Sequence, residues 1–554
     1  MSATEWMSVA SFALIAAMFA GPPILLLVLW LSDRRQSQHA VLRAFPLVGR
    51  IRYLLEHVGP ELRQYLFDGD HTGKPFSRTD FLSVVFASKY LNTLISFGSK
   101  RDFDQPGWYL RNALFPTLAA KLAVDQRARL TTRRYVIERE GLLQRAESVQ
   151  EVQVAPWTLE DAHAIRIGAG LATPWVVRGQ IGVSGMSYGA LGSHAIRAIS
   201  EGVAAATGSW MNTGEGGLSE HHLAGGGDLI FQIGPGCFGV RDASGAFDWN
   251  ALREKAALAQ VRGFELKLHQ GAKIRGGHLE GSKVTPEIAA MRGVPAWKSV
   301  DSPNRFPFLA NVDALLDHVA LMREATGKPI GVKIVIGSPD GADELAAAMA
   351  RRGDGPDWIS VDGGEGGSGA TYQEMADSVG LPVRSAILAL DDSLRLYGVR
   401  DRVRIIASGK LFSADRAAFA LAFGADLVQV ARSFMISVGC IQAQKCHTNQ
   451  CPAGVATTDP RRMRALVVEE KRWRALNFVI TMRAGLSSLA AAAGLESPTQ
   501  FTRAHAIYRD GLGRVRSAQD LFPARLPDDA ARARFELAAQ QGLRAARRDL
   551  ALTR

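Results

Sequence analysis

A chain of 554 residues is too long for one ordinary core, which implies two or more units or one large barrel with flanking segments. With 47% hydrophobic and 21% charged residues, the composition is that of a folded protein. The net charge is +11, but no Lys/Arg run is dense enough, or interleaved with aromatics, to make a nucleic-acid surface, and four cysteines exclude a disulfide framework.

The first predicted element is a membrane helix. Met7 to Leu31 holds 25 residues without a charged side chain. At ~1.5 Å per residue such a helix reaches ~37 Å, enough to cross a ~30 Å hydrocarbon core. A cleaved signal peptide is the competing reading, but it needs a basic start, and Glu5 is the only charge before the run. Gly21-Pro22-Pro23 allows a kink or a re-entrant hairpin. Arg34, Arg35, Arg43, Arg50 and Arg52 follow the span, which places the bulk of the protein on the cytoplasmic side of the inner membrane as a single-pass protein.

Residues 32–150 read as a mostly helical region without obvious chemistry. From about residue 178 the pattern changes to short β-branched runs, each followed by a longer amphipathic stretch. The runs fall at 179–184, 208–213, 228–233, 263–268, 330–336, 357–362, 403–408 and 426–430. Eight strands alternating with helical segments predict a (β/α)8 barrel within 151–460, with a doubly wound sheet as the alternative. A barrel gathers function at the C-terminal ends of its strands. The region 461–554 reads as helical again, as in Lys471 to Gly494.

The polar motifs fall at those strand ends. After the first strand, Ser184-Gly185-Met186-Ser187 offers bare backbone to a flat ligand. The second strand ends in a glycine-rich loop carrying Glu215, whose carboxylate can reach a substrate amine or water, or merely serve a turn. Gln232 sits on the third strand. Lys267 and Lys333 lie inside apolar strands, where an unpaired lysine is rare, so they must point into a barrel or pair. Lys273, Arg275 and Arg292 form a cationic group suited to a dicarboxylate. Gly364, Gly366 and Gly369, with Gly367 between them, follow the sixth strand and the first three match G-x-G-x-x-G, with Asp391-Asp392 downstream, so a dinucleotide fold is an alternative reading. In a barrel the same loop cradles phosphate, together with Gly409, Lys410 and Arg432 after the last strands. A phosphate grip there and a flat ring over strands one to five describe bound FMN.

Immediately after the eighth strand come Cys440, Cys446 and Cys451, three of the four cysteines within twelve residues. Their gaps of five and four residues, one beyond and one at the limit of the two to four that separate zinc-knuckle cysteines, are too wide for such a site. They suit a [3Fe–4S] cluster, with zinc through the same thiols and His447 as the alternative. Clustered thiols without partners fit a reducing compartment. Cys237 reads as a small buried residue.

Taken together, Met186-Ser-Tyr-Gly-Ala-Leu191, Asn212-Thr-Gly-Glu-Gly-Gly217, Gln270-Gly-Ala-Lys273, Lys283-Val-Thr-Pro-Glu-Ile288 and Cys446-His-Thr-Asn-Gln-Cys-Pro-Ala-Gly-Val-Ala456 resemble the FMN-binding synthase domain of glutamate synthases, over roughly residues 180 to 460. The N-terminal half is similar to short, membrane-anchored members of that family. The resemblance implies a [3Fe–4S] cluster on Cys440, Cys446 and Cys451, FMN and 2-oxoglutarate lysines at Lys267 and Lys273, a catalytic glutamate at Glu215 and a carboxylate arginine at Arg292. It implies electrons from a ferredoxin or an NAD(P)H-dependent reductase subunit, and glutamate made from 2-oxoglutarate and ammonia. No glutaminase cysteine precedes Cys237, so ammonia comes from solution or a partner. Where the family reads Pro-Gly-Glu-Gly-Gly-Gln after the lysine, this chain has Ile-Arg-Gly-Gly-His278, which opens the pocket to another small amine, as in N-methylglutamate synthesis. A membrane-tethered electron-transfer subunit is the non-enzymatic alternative.

Overall fold

The computed structural model describes residues 3–99, 101–271, 273 and 276–526. The chain forms two compact units, Met1–Asp80 and Phe81–Arg554. In the first, the apolar run is one helix, α1 (Ala3–Arg35), which continues through Pro22 and Pro23 without turning back. Its stretch Ala10–Arg35 has a mean hydropathy of 2.4 and is not buried within the chain. Near its end, Asp33 accepts from the Leu47 amide (3.0 Å) and the Arg50 guanidinium (2.6 Å).

The second unit is built on a closed parallel barrel of eight strands: β1 (Ile181–Val183), β2 (Trp210–Asn212), β3 (Asp228–Ile233), β4 (Val261–Lys267), β5 (Ile330–Ile334), β6 (Trp358–Asp362), β7 (Arg404–Ser408) and β8 (Leu427–Val430). Each pairs with the next, and β8 closes on β1 through Gln429 opposite Gly182. These are the eight predicted runs, and closure excludes the doubly wound alternative. Around the barrel lie, among other helices, α2 (Pro286–Arg292), which carries Arg292 into the site, α3 (Val383–Leu396) and α4 (Val468–Ala492).

Side chains alternate along a strand, so every second residue fills the barrel. Its N-terminal end is plugged by Trp210, Ile230, Trp358, Ile406 and Leu427. Trp175, from the hairpin Ile165–Ile167/Trp175–Val177, closes it from below, edge-on to Trp210 at 5.8 Å. The indoles fit because glycines face them. A Cβ at Gly182 would stand 2.1 Å from the Trp210 ring, and one at Gly331 2.0 Å from the Trp358 ring. Gly182→Ala is therefore expected to cost about 3 kcal/mol in urea unfolding, the upper range for overpacking; a loss below about 1 kcal/mol would show that the tryptophan can retreat.

Two expectations for the flanks need correction. Residues 32–150 are helical only in their first part. Leu130–Glu140 and Arg145–Val154 form a long antiparallel hairpin around Gly141. Thr132, Tyr135 and Ile137 facing Val149, Val152 and their neighbours favour strand, because branched and aromatic side chains fit a pleated surface. Likewise, Ala506–Arg509 and Val515–Ser517 are strands, which join Gly107–Leu110 in one three-stranded sheet. Residues 527–554 lie outside the described part. The second long apolar helix, α4, is a core element, mostly buried. From it Asn477 bonds Thr132, Ser88 and Arg133, and the buried Arg483 donates to the carbonyls of Pro156 and Ala206.

Candidate active site at the strand ends

The loops after β1, β2 and β4 converge on one charged group. Lys267, the last residue of β4, places its Nζ 2.6 Å from Glu215 Oε1 and also donates to Gln270. Glu215 is hemmed in by backbone: Cβ atoms at Gly234 and Gly277 would lie 2.3 and 2.9 Å from its oxygens. Those glycines are what let a carboxylate sink there. Burial alone would raise the Glu215 carboxyl, but Lys267, with Lys273 and Arg292, holds it below its ordinary value. The predicted Glu215, Lys267, Lys273 and Arg292 thus come together.

Arg292 ends α2 and is buried. Its Nη2 donates to the Tyr188 carbonyl (3.0 Å), its guanidinium stacks over Phe238 (5.3 Å), and its Nε has no hydrogen-bond partner in the chain. Burial pushes it down to about 10, against the pull of Glu215. A buried, incompletely neutralised guanidinium is a ready carboxylate receptor. Arg275 lies outside the described residues. His278 does not join the group: its ring pairs with Asp301 (2.9 Å) and, more distantly, Glu280 (3.6 Å).

The loop after β1 is pinned from below. Met186 accepts from the buried His222 Nε2 (3.0 Å), and Ser184 donates its amide to Val430 (3.0 Å), fixing the Gly185 and Ser187 backbone beside them. Burial pushes His222 down to about 4. Because its ordinary value is 6.5, the unfolded chain binds the proton first, so stability present above pH 6.5 is lost towards pH 4. A thermal midpoint falling over that window in wild type but less in His222→Gln is expected; parallel slopes would exclude His222 as the cause.

Lys333 reaches Ser184 Oγ (3.3 Å) and Asp362 (3.5 Å), and Asp362 in turn accepts from the Gly271 amide (2.9 Å). Gln232 and Gln429 face the same interior. Gln429 is fully buried, yet neither its amide nitrogen nor its oxygen has a partner in the chain. Buried polar groups are rarely left so, and two such ends suit the edge of a polar ring.

On the far side, Gly409 (φ +136°) and Lys410 (φ +49°) make a sharp turn after β7. Arg432 donates to the Glu365 carbonyl (2.7 Å). Gly367 leaves it room, since a Cβ there would be 2.9 Å from the guanidinium carbon. Gly364 and Gly366 turn the same loop back through the Leu381 and Gly363 carbonyls. The dinucleotide reading fails here. This loop follows the sixth strand of a closed barrel, and Asp391 lies on α3 as the hub of ion pairs with Arg395, Arg400 and Arg503.

All four cysteines are free thiols. Cys440, Cys446 and Cys451 lie on one loop, and the Gln442 amide donates to Cys440 Sγ (3.4 Å). Burial, with some repulsion from the other two, pushes Cys440 up to about 12. Burial and Cys451 likewise raise Cys446, against Lys283. Asn449 pins the loop by accepting from Thr457 and Thr458 and donating to Ser282 (2.9 Å). Cys237 is buried elsewhere, and burial raises it to about 11.

Reading by strand ends passed over Lys283. It is buried and donates to three carbonyls, Ala190 (2.7 Å), Cys446 (3.1 Å) and Ala456 (3.2 Å), so one ammonium joins the loop after β1 to the cysteine loop. Burial pushes it down to about 8, although Cys446 and Cys451 pull the other way. Its sequence signal was its place at the head of the Lys283-Val-Thr-Pro-Glu-Ile288 motif, two residues before the Thr285 cap of α2, which gave it no role of its own. Gln429 was hidden because an uncharged amide in an apolar strand does not announce, as a lysine does, that it lacks a partner.

Residues 122–496 match the model of the conserved region in glutamate synthase. The chain is 46% identical over 519 residues to the glutamate synthase large subunit-like protein YerD of Bacillus subtilis, covering 94% of this chain and 99% of that protein. It is 34% identical over 318 residues to the archaeal glutamate synthase [NADPH] of Methanocaldococcus jannaschii, covering 57% of this chain and 59% of that one. Among solved structures, a mandelate oxidase mutant is similar at 15% identity and a TM-score of 0.37, covering 81% of this chain and 96% of that chain. With most of the chain matched and a near-full-length relative at that identity, the chain belongs to the glutamate synthase family and is a glutamate synthase-like oxidoreductase.

Proposed function

We propose that the chain is an iron–sulfur flavoenzyme that reductively aminates 2-oxoglutarate to L-glutamate. The observation that carries this is the set of buried Lys267, Lys273 and Arg292 around the largely buried Glu215 at the strand ends. Three cations around one carboxylate leave net positive charge where a dicarboxylate is to bind.

The residues present suit FMN. Gln232, Lys267, Lys333 and the unpartnered Gln429 would face its ring, with the backbone of Ser184, Gly185, Met186 and Ser187 on one side. Gly364, Gly366, Gly367, Gly409, Lys410 and Arg432 would hold its phosphate. Bound there, FMN would supply a hydride to the imine carbon of 2-iminoglutarate. The three thiols on one loop, Cys451 buried and Cys440 and Cys446 half-buried, suit a [3Fe–4S] cluster, whose sulfur ligands bind deprotonated and need no disulfide partner.

The chain's own side chains then have these roles. Arg292 and Lys273 orient the two carboxylates. Lys267 stabilises negative charge at the ring edge. Glu215, held ionised by its cations, takes a proton from ammonium and returns it to the nitrogen as the amine forms. Ammonia comes from solution or a partner, and electrons from a ferredoxin or an NAD(P)H-dependent reductase subunit. Helix α1 anchors the protein in the inner membrane as a single pass, with the arginines after it on the cytoplasmic side.

A second reading changes only the amine. His278 stands where the family carries glutamine and is turned to Asp301, so a methylamine-accepting site is the rival. The test is anaerobic purification with iron and flavin analysis, then assay with 2-oxoglutarate and viologen reduced by dithionite. Ammonium and methylamine compete in the mixture. Glutamate as the product supports the first reading and N-methylglutamate the second; neither product, with flavin bound, rules out both.

A further inference from the structure

We infer that Glu265, beneath the site, is a positioning residue that decides which end of the Gln232 amide meets the bound ring. The inference rests on the proposal that the barrel binds FMN. Glu265 lies two residues before Lys267 on β4, so both side chains point into the barrel. It is fully buried. Its Oε1 accepts from Asn212 Nδ2 (2.8 Å) and Gln232 Nε2 (2.7 Å). Its Oε2 accepts from Trp358 Nε1 (3.1 Å) and from the Ser360 hydroxyl. One carboxylate thus collects four donors from β2, β3 and β6 and donates none.

An amide has one donating and one accepting end, so committing both NH2 groups to Glu265 turns both carbonyls away from it. The Asn212 oxygen then accepts from the Gly214 amide (3.0 Å), which sets the loop that carries Glu215. The Gln232 oxygen comes up beside the loop after β1, 2.9 Å from where a Cβ at Gly185 would stand. An acceptor is thereby fixed where the ring edge is to lie, and the flavin imide N–H is a donor of the matching kind. Shape alone does not fix that choice, since an amide is nearly symmetric. The low dielectric around a buried network raises the cost of presenting the wrong end.

The variant Glu265→Gln keeps size and shape but replaces one accepting end by a donor. The Trp358 indole N–H cannot be turned into an acceptor, so the introduced amide keeps its oxygen there. Its NH2 then faces Asn212 and Gln232, whose amides must flip, putting a donor against the ring N–H. Adding Gln232→Glu restores an acceptor on both sides of that contact. Apoprotein titrated with FMN, read by flavin fluorescence and by the bound flavin's absorption spectrum, tests this. E265Q is expected to weaken FMN binding about tenfold or more and to shift the bound spectrum. The double variant E265Q/Q232E is expected to recover most of both. Folded E265Q with wild-type affinity and spectrum overturns the inference, and so does a double variant no better than either single. If E265Q does not fold, the comparison falls to Q232E against the double variant, which must bind more tightly. Wild-type apoprotein that takes no FMN sinks the flavin reading itself, a result distinct from the others.

Discussion

Lys283→Met is expected to destabilise the protein by about 3–5 kcal/mol, a large effect for one side chain. The lysine is buried and gives its three donors to three carbonyls on separate segments. Methionine fills similar volume but donates nothing, so three buried acceptors lose their partner. Each unsatisfied buried group costs about 1–3 kcal/mol, and the apolar side chain recovers part of the sum. Equilibrium denaturation of wild type and variant checks it. A change under about 1 kcal/mol would mean that the loops hold together without this tie. Because one of the three carbonyls belongs to Cys446, the variant is also expected to retain less iron after anaerobic purification.

Arg292→Met is expected to raise the KM for 2-oxoglutarate about 30- to 1000-fold, which is about 2–4 kcal/mol of binding. The guanidinium is buried beside Glu215, stacked on Phe238, and keeps an unpartnered Nε. Its burial has already been met by the fold, so the approaching carboxylate gains a dry, preset receptor. Arg292→Lys is expected to fall between the two, since an ammonium keeps the charge but loses the paired geometry. An unchanged KM in the methionine variant, with the protein folded, would remove Arg292 from the substrate site. Flavin content serves as the internal control, because Arg292 is assigned to the substrate and not to the ring.

The barrel was legible because its strands carry a strong local signal: short β-branched runs with polar residues at their ends. All eight appear within a few residues of their expected places. The charged site was legible for a related reason. Lys267 and Lys333 stand inside apolar runs, and an ammonium is rarely buried there unless it meets a partner or a ligand. The flanks were less legible. The hairpin Leu130–Glu140/Arg145–Val154 is rich in charge and exposed along much of its length, so its alternation is faint. The strand Gly107–Leu110 is only four residues long and gains its definition from a distant partner. The roles of Lys283, Glu265 and Gln429 were hidden for the same cause: each takes its meaning from groups brought to it by the fold. The carbonyls that hold Lys283 lie 93, 163 and 173 residues away along the chain. No periodicity reports such pairings.

The sheet joining Gly107–Leu110 to Ala506–Arg509 sets an order of events during synthesis. Its two strands leave the ribosome some 400 residues apart, an interval of about 20–80 s at ordinary translation rates. Until then the earlier strand presents an open edge, a template for the wrong neighbour. Over that interval Gly107–Leu110 has no sheet partner, since among the described residues it pairs with Ala506–Arg509 alone. A message cut short before codon 506 would leave that segment without its sheet partner, even with every barrel strand already translated.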